Sequence, residues 1–264
     1  MEGVITTVVW AALIQGVLLS FLYLFSRKYP SFANRLLGFF LMVIVYEGIL
    51  QFIPYNFIGD YKIYYFGLPV VKLFYSVLFF HYILEKLSRA NAYRRFLLIQ
   101  YILAFGVWGL TFINLVLYFF TGDDLAGHIT FETEESIFLG IQYLAISLII
   151  TVFVLSIREV RRYQRVVREK YSDFEMLQIK WMWSLILLLV PIIIVWSSNL
   201  IYIAISHGGS QSFELATWAF VVVFLYFVSY QAYKHKNLLK GLTRERILIV
   251  PMKHLMSLSR TIRS

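Results

Sequence analysis

Apolar runs of about 20 residues recur along almost the whole chain, and this feature limits the possible folds more than any other. In hydrocarbon a backbone has no water to bond, so a spanning segment must satisfy its own N–H and C=O groups, which a helix of about 20 residues does. Seven runs qualify: 5–25, 35–53, 67–84, 96–120, 136–157, 180–206 and 214–233. They predict an all-α, polytopic membrane bundle at 1–233, followed by a basic juxtamembrane tail at 234–264. The chain is 60% hydrophobic and 15% charged, against about 25% charged in soluble domains. A soluble fold could not cover so much apolar side chain, and no interval between the runs is long enough for a second domain. The N-terminal run has neither a basic leader nor a small-residue cleavage site, so it reads as a retained helix.

Charge sets the expected orientation. Of 24 Lys and Arg, all but Lys62 and Lys72 fall in the first, third and fifth connections and the tail. The opposite loops hold Asp60, Asp123, Asp124, Glu132, Glu134 and Glu135. Because Lys and Arg near helix ends stay cytoplasmic, the N-terminus is expected outside and the C-terminus inside. An odd helix number is required for the basic early connections and the basic tail to share one side. The net charge of +9 therefore reads as a topology signal and not as a nucleic-acid surface. The tail is too short for a helix-turn-helix domain, so no direct DNA contact is expected from it; its basic residues suit anionic lipid.

Within the runs, charge is scarce. A charged group costs at least about 2.5 kcal/mol at the bilayer centre unless it is paired or hydrated. Glu47 and Lys72 stand about six and five residues from the outer ends of the second and third helices, so both lie about 8–9 Å deep at 1.5 Å per residue. They are placed to pair. Gln15, Gln51, Asn114, Gln142 and Asn199 fall in the same outer layer. Two readings of that layer stay open: hydrogen bonds between helices, or an outward-facing ligand pocket lined by Glu47, Gln51, Lys72, Asn114, Gln142 and Asn199. Pro191, inside the sixth run, removes one helical hydrogen bond and is the expected bend point. The basic stretch after the fifth run is expected to continue that helix, with Ser172 and Glu175 spaced as a capping box for the next.

Other chemistries find little support. With no cysteine, thiol catalysis and disulfides drop out. His81 is a lone imidazole, and the remaining histidines are scattered, so no metal site is expected. The acidic stretch GDDLAGHITFETEE lacks calcium-loop spacing. There is no GxSxG, phosphate-binding glycine loop or HExxH, and no lysine in the seventh run for a retinal Schiff base. The expectation is a non-enzyme without cofactors.

Three stretches, SFANRLLGFFLMVIVYEGIL, YSDFEMLQIKWMWSLILLLVPIIIVW and FVVVFLYFVSYQAYKHKNLL, carry a resemblance. Their order is similar to the seven-helix N-terminal module of membrane-anchored AraC-type transcriptional regulators of the Bacteroidetes. Ala33, Asn34, Arg35, Leu36 and Leu37 match its helix opening and Trp181 its sixth-helix head, while Ser229-Tyr230 stands where that family has Gly-Tyr. The resemblance implies a sensor module in a bacterial inner membrane, an extracytoplasmic ligand and a cytoplasmic signalling partner. It supplies no catalytic residues, and in that family a DNA-binding domain follows the seventh helix. A small-solute or ion transporter, with Glu47 and Lys72 as coupling residues, is the alternative. The oligomeric state is left open.

Overall fold

The computed structural model describes residues 2–25, 31–52, 68–121, 131–170, 173–206 and 212–231. Seven α-helices and one 3₁₀ turn make up nearly all of these residues. They are α1 (Glu2–Phe25), α2 (Phe32–Phe52), α3 (Lys72–Lys86), α4 (Arg94–Thr121), α5 (Phe131–Lys170), α6 (Asp173–Ser206) and α7 (Ser212–Gln231), with the turn at Ala90–Tyr93. The tail at 234–264, Asp60, Lys62, Asp123, Asp124, Ser172 and every histidine except His81 lie outside the described residues. Two units are distinguished, Met1–Phe224 and Leu225–Ser264. The bundle described below belongs to the first.

Six of the seven helices, all but α3, are long and apolar enough to cross a membrane. In α4 only 17% of the span is buried, and Leu98, Ile99, Ile102, Phe105 and Leu110 are exposed. In water that surface would be an aggregation face; in a bilayer it meets lipid. The chain is a multi-pass helical membrane protein.

The shortest helix, α3, has 15 residues, ten of them buried. It packs against α2, α4 and α5. At 15 residues it rises only about 22 Å, less than the roughly 30 Å hydrocarbon core, and protein rather than lipid surrounds most of it. Its ends are held by polar bonds. Before α3, Tyr46 donates to the Pro69 carbonyl at 3.2 Å, and the Val70 N–H donates to Thr111 Oγ1 at 3.0 Å. After α3, Ser88 takes a left-handed φ of 54°. That turn lets the Ser88 and Arg89 amides donate to the carbonyls of Glu85 and Leu84, the pairing that ends helices on a left-handed residue.

Close approach elsewhere depends on glycine. A Cβ on Gly48 would lie 2.5 Å from Leu13 Cδ2 and 2.8 Å from Trp218 Cζ3, so α1, α2 and α7 meet at a point where only hydrogen fits. At Gly38 a Cβ would meet Leu24 and the Ser20 carbonyl, and Ser20 Oγ donates to the Gly38 carbonyl at 2.9 Å. Ser31 caps α2, accepting from the Asn34 amide at 3.2 Å.

The long helix α5 is the main departure from a simple spanning bundle. It begins at Phe131, so Glu132, Glu134 and Glu135 belong to helix and not to a loop, and it continues through the basic stretch to Lys170. Its 40 residues extend about 60 Å, twice the hydrocarbon thickness. In α6 the helix runs unbroken through Pro191.

Candidate functional site

The Glu47–Lys72 pair forms. Lys72 Nζ lies 3.2 Å from Glu47 Oε1, with each side chain 19% exposed. The ammonium also stands over the Phe138 ring, 5.2 Å from its centroid, a cation–π arrangement. Both charges are thus compensated within the protein, with Glu47 inside α2 and Lys72 the first residue of α3, not five residues inside that helix as the apolar run implied.

The pair borders a partly open cavity of about 530 Å³ lined by α2, α3 with the residues just before it, α5, α6 and α7. That volume is within the roughly 300–1,000 Å³ of small-molecule sites. Along α2 the lining runs from Phe40 to Gln51, a rise of about 16 Å. Every contributing helix supplies residues from the same end of the bundle. Around the Gln51 end the lining is polar: Gln51 Nε2 donates to Glu214 Oε2 at 3.2 Å, and Gln142, Asn199 and Thr217 join them. Farther in it is aromatic and aliphatic. Tyr75 sits edge-on to Phe40 and to Trp196, each at 6.3 Å between ring centroids, with Phe79, Phe153 and Leu189 beyond.

Two of the polar wall residues carry an unmet demand. Gln142 is 4% exposed and Asn199 9%, yet neither amide oxygen has a hydrogen-bond partner among the described residues. An unpaired buried acceptor costs about 1–3 kcal/mol, so such groups usually have a partner or a function. Gln100 of α4, 3% exposed and outside the lining, also lacks partners for its amide atoms among the described residues, so what sets Gln142 and Asn199 apart is their place on the cavity wall.

Of the residues singled out in the sequence, Glu47, Gln51, Lys72, Gln142 and Asn199 therefore share one cavity. Asn114 is half-buried on α4, outside that lining. Pro191 lies between the lining residues Leu189 and Ile192. Sequence reasoning did not assign Glu214, Tyr75, Trp196 or Trp218 to the site. Glu214 carried a signal, an acidic residue at the head of an apolar run, but one indistinguishable from an ordinary solvated helix end.

A second polar cluster occupies the opposite end. Glu159 of α5, 3% exposed, accepts from Tyr93 Oη at 2.9 Å and pairs with Arg89 Nε at 3.5 Å. Nearby bonds join Trp181 Nε1 to Tyr82 Oη at 2.8 Å and Lys86 Nζ to Asn34 Oδ1 at 3.0 Å. His81 Nδ1 lies 2.9 Å from Tyr101 Oη, and its Nε2 is 3.5 Å from Glu85. These are links between and along helices, and no cluster of three His, Cys, Asp or Glu suited to a metal occurs among the described residues. Comparison with protein families, characterised proteins and solved structures finds no match to this chain.

Proposed function

We propose that the chain is a membrane sensor module: a small molecule entering from outside the cell occupies the cavity, and α5 carries the change to the cytoplasmic end. The charge distribution supports an external N-terminus and a cytoplasmic C-terminus, which puts the Gln51 end of the cavity outside. The observation that carries the reading is a cavity bordered by a compensated ion pair and walled by two buried amides whose oxygens lack partners.

Transmission has a physical route. Leu139, Gln142, Ile149, Val152 and Phe153 of α5 line the cavity, and the same helix continues without a break to Glu159 and on to Lys170. A stiff rod with one end in a pocket and the other among Arg158, Arg161, Arg162 and Arg165 converts a shift of one end into a displacement of the other. Pro191 lets α6 bend at the level of the cavity floor. Any such shift requires a ligand that prefers one of two states. The module is of the kind that the AraC-type resemblance implies: non-enzymatic, resident in a bacterial inner membrane and coupled to a cytoplasmic partner. A transporter is disfavoured because solute sites at the midplane are typically built from interrupted helices, whereas α5 and α6 pass the cavity intact.

The test uses the full chain in lipid nanodiscs, comparing wild type with the Glu47→Gln, Lys72→Met double variant by hydrogen exchange. A change in protection at 158–170, remote from the substitutions, is the expected result. Protection altered only around the cavity would remove the transmission claim. Solute-driven swelling of proteoliposomes that the double variant abolishes would reassign the cavity to transport.

A further inference from the structure

We infer that the cavity selects an organic cation: a protonated amine carrying a compact aromatic or branched apolar body. This rests on reading the cavity as a ligand pocket, and it adds the ligand's chemical class.

Charge is the first argument. Among the described residues, Glu47, Glu214 and Lys72 are the acidic and basic side chains in the lining, so two carboxyl groups share one ammonium, and with both ionised one negative charge is in excess. Lys72 is already engaged, by Glu47 at 3.2 Å and by the face of Phe138. The cation that could draw an anionic ligand is spent inside the protein, while the hydrogen bond to Glu214 comes from the neutral amide of Gln51.

Hydrogen-bonding capacity is the second. The buried oxygens of Gln142 and Asn199 lack donors among the described residues. A ligand that satisfies them must bring N–H or O–H groups, and an ammonium brings up to three while also meeting Glu214. A quaternary ammonium would meet the charge and leave both oxygens unpaired.

Shape is the third. Polar groups gather at the Gln51 end and the far part is walled by Phe40, Tyr75, Phe79, Phe153 and Trp196, so head and body are assigned to opposite ends. Aromatic faces near a carboxylate also favour a cation over a neutral molecule of equal size. A bare metal ion fits poorly: about 530 Å³ is far larger than one ion, and the carboxylates are too few to enclose it.

The experiment is calorimetric titration of the full chain in nanodiscs with three probes of similar size: phenethylammonium, neutral 2-phenylethanol and anionic hydrocinnamate. An Ile149→Trp variant, verified as helical, fills the cavity and reports nonspecific uptake by lipid. Saturable binding of phenethylammonium is expected, with the other two weaker by about tenfold or more. Glu214→Gln should weaken the ammonium by about ten- to a hundredfold, the loss of one charge-assisted bond. If hydrocinnamate or 2-phenylethanol binds as tightly and Ile149→Trp abolishes it, the pocket stands and the cationic class falls. An ammonium preference that survives Glu214→Gln overturns the inference in the same way. If none of the three binds wild type better than Ile149→Trp, the ligand-pocket reading itself fails.

Discussion

A charge inside an apolar helix announces itself in a sequence, and Glu47 and Lys72 were legible for that reason. Their pairing was expected from equal depth on consecutive helices; the pair forms, although α3 begins at Lys72 and only Glu47 lies inside its helix. What could not be read was azimuth: helices that are apolar all round give no sign of which side faces the bundle. Asn114 and Asn199 look alike in the sequence, yet Asn199 lines the cavity and Asn114, on the largely lipid-exposed α4, does not. The pair makes a quantitative prediction. Lys72→Met leaves Glu47 uncompensated and should destabilise by about 2–3 kcal/mol, less than the roughly 3–5 kcal/mol of a fully buried pair, because a fifth of each side chain is accessible. Adding Glu47→Gln should restore part of that, giving a coupling of about 0.5–3 kcal/mol in a double-mutant cycle followed by SDS unfolding. Asn199→Leu should have the opposite sign. Replacing an unpaired buried amide by an apolar group of similar size should stabilise the empty protein by about 1–3 kcal/mol while removing a binding group, the trade expected where a site is built for function. Destabilisation by Asn199→Leu would mean that the amide is structural.

At the scale of elements, the apolar runs located all seven helices to within a few residues at most ends, because length and hydropathy suffice for that. They did not show that α3 is short and enclosed, since burial by protein and burial by lipid select the same apolar side chains. The extension of α5 was visible in the run of Arg and Lys that follows an apolar stretch without a helix breaker. Its start at Phe131 was obscured by Glu132, Glu134 and Glu135, which resemble loop residues when counted by hydropathy. Glycine separates tight from loose packing between elements. Gly48→Ala must displace Leu13 or Trp218 and should cost about 1–3 kcal/mol, the usual penalty of overpacking. A methyl on Gly106 would meet nothing within 4 Å, so Gly106→Ala should gain up to about 1 kcal/mol of helix propensity. Unfolding of both variants in the same detergent series checks the contrast, and equal effects would show that α1, α2 and α7 do not meet as described.

For the whole molecule, two ends with different chemistry are joined by one long helix. One end holds the cavity, with two carboxyl groups to one ammonium and two amide oxygens without partners among the described residues; the other holds the Glu159–Arg89–Tyr93 cluster and a stretch of arginines on α5. The sensor proposal requires that the first end face the exterior and that the cavity be reachable from there. Because the chain has no cysteine, single cysteines can be introduced without background at the exposed positions Gln51 and Arg165, and probed in intact cells with a membrane-impermeant maleimide. Labelling of Gln51→Cys from outside, with Arg165→Cys reactive only after permeabilisation, is the result expected of an outward-facing pocket. Labelling of Arg165→Cys in intact cells, with Gln51→Cys protected until lysis, would contradict it.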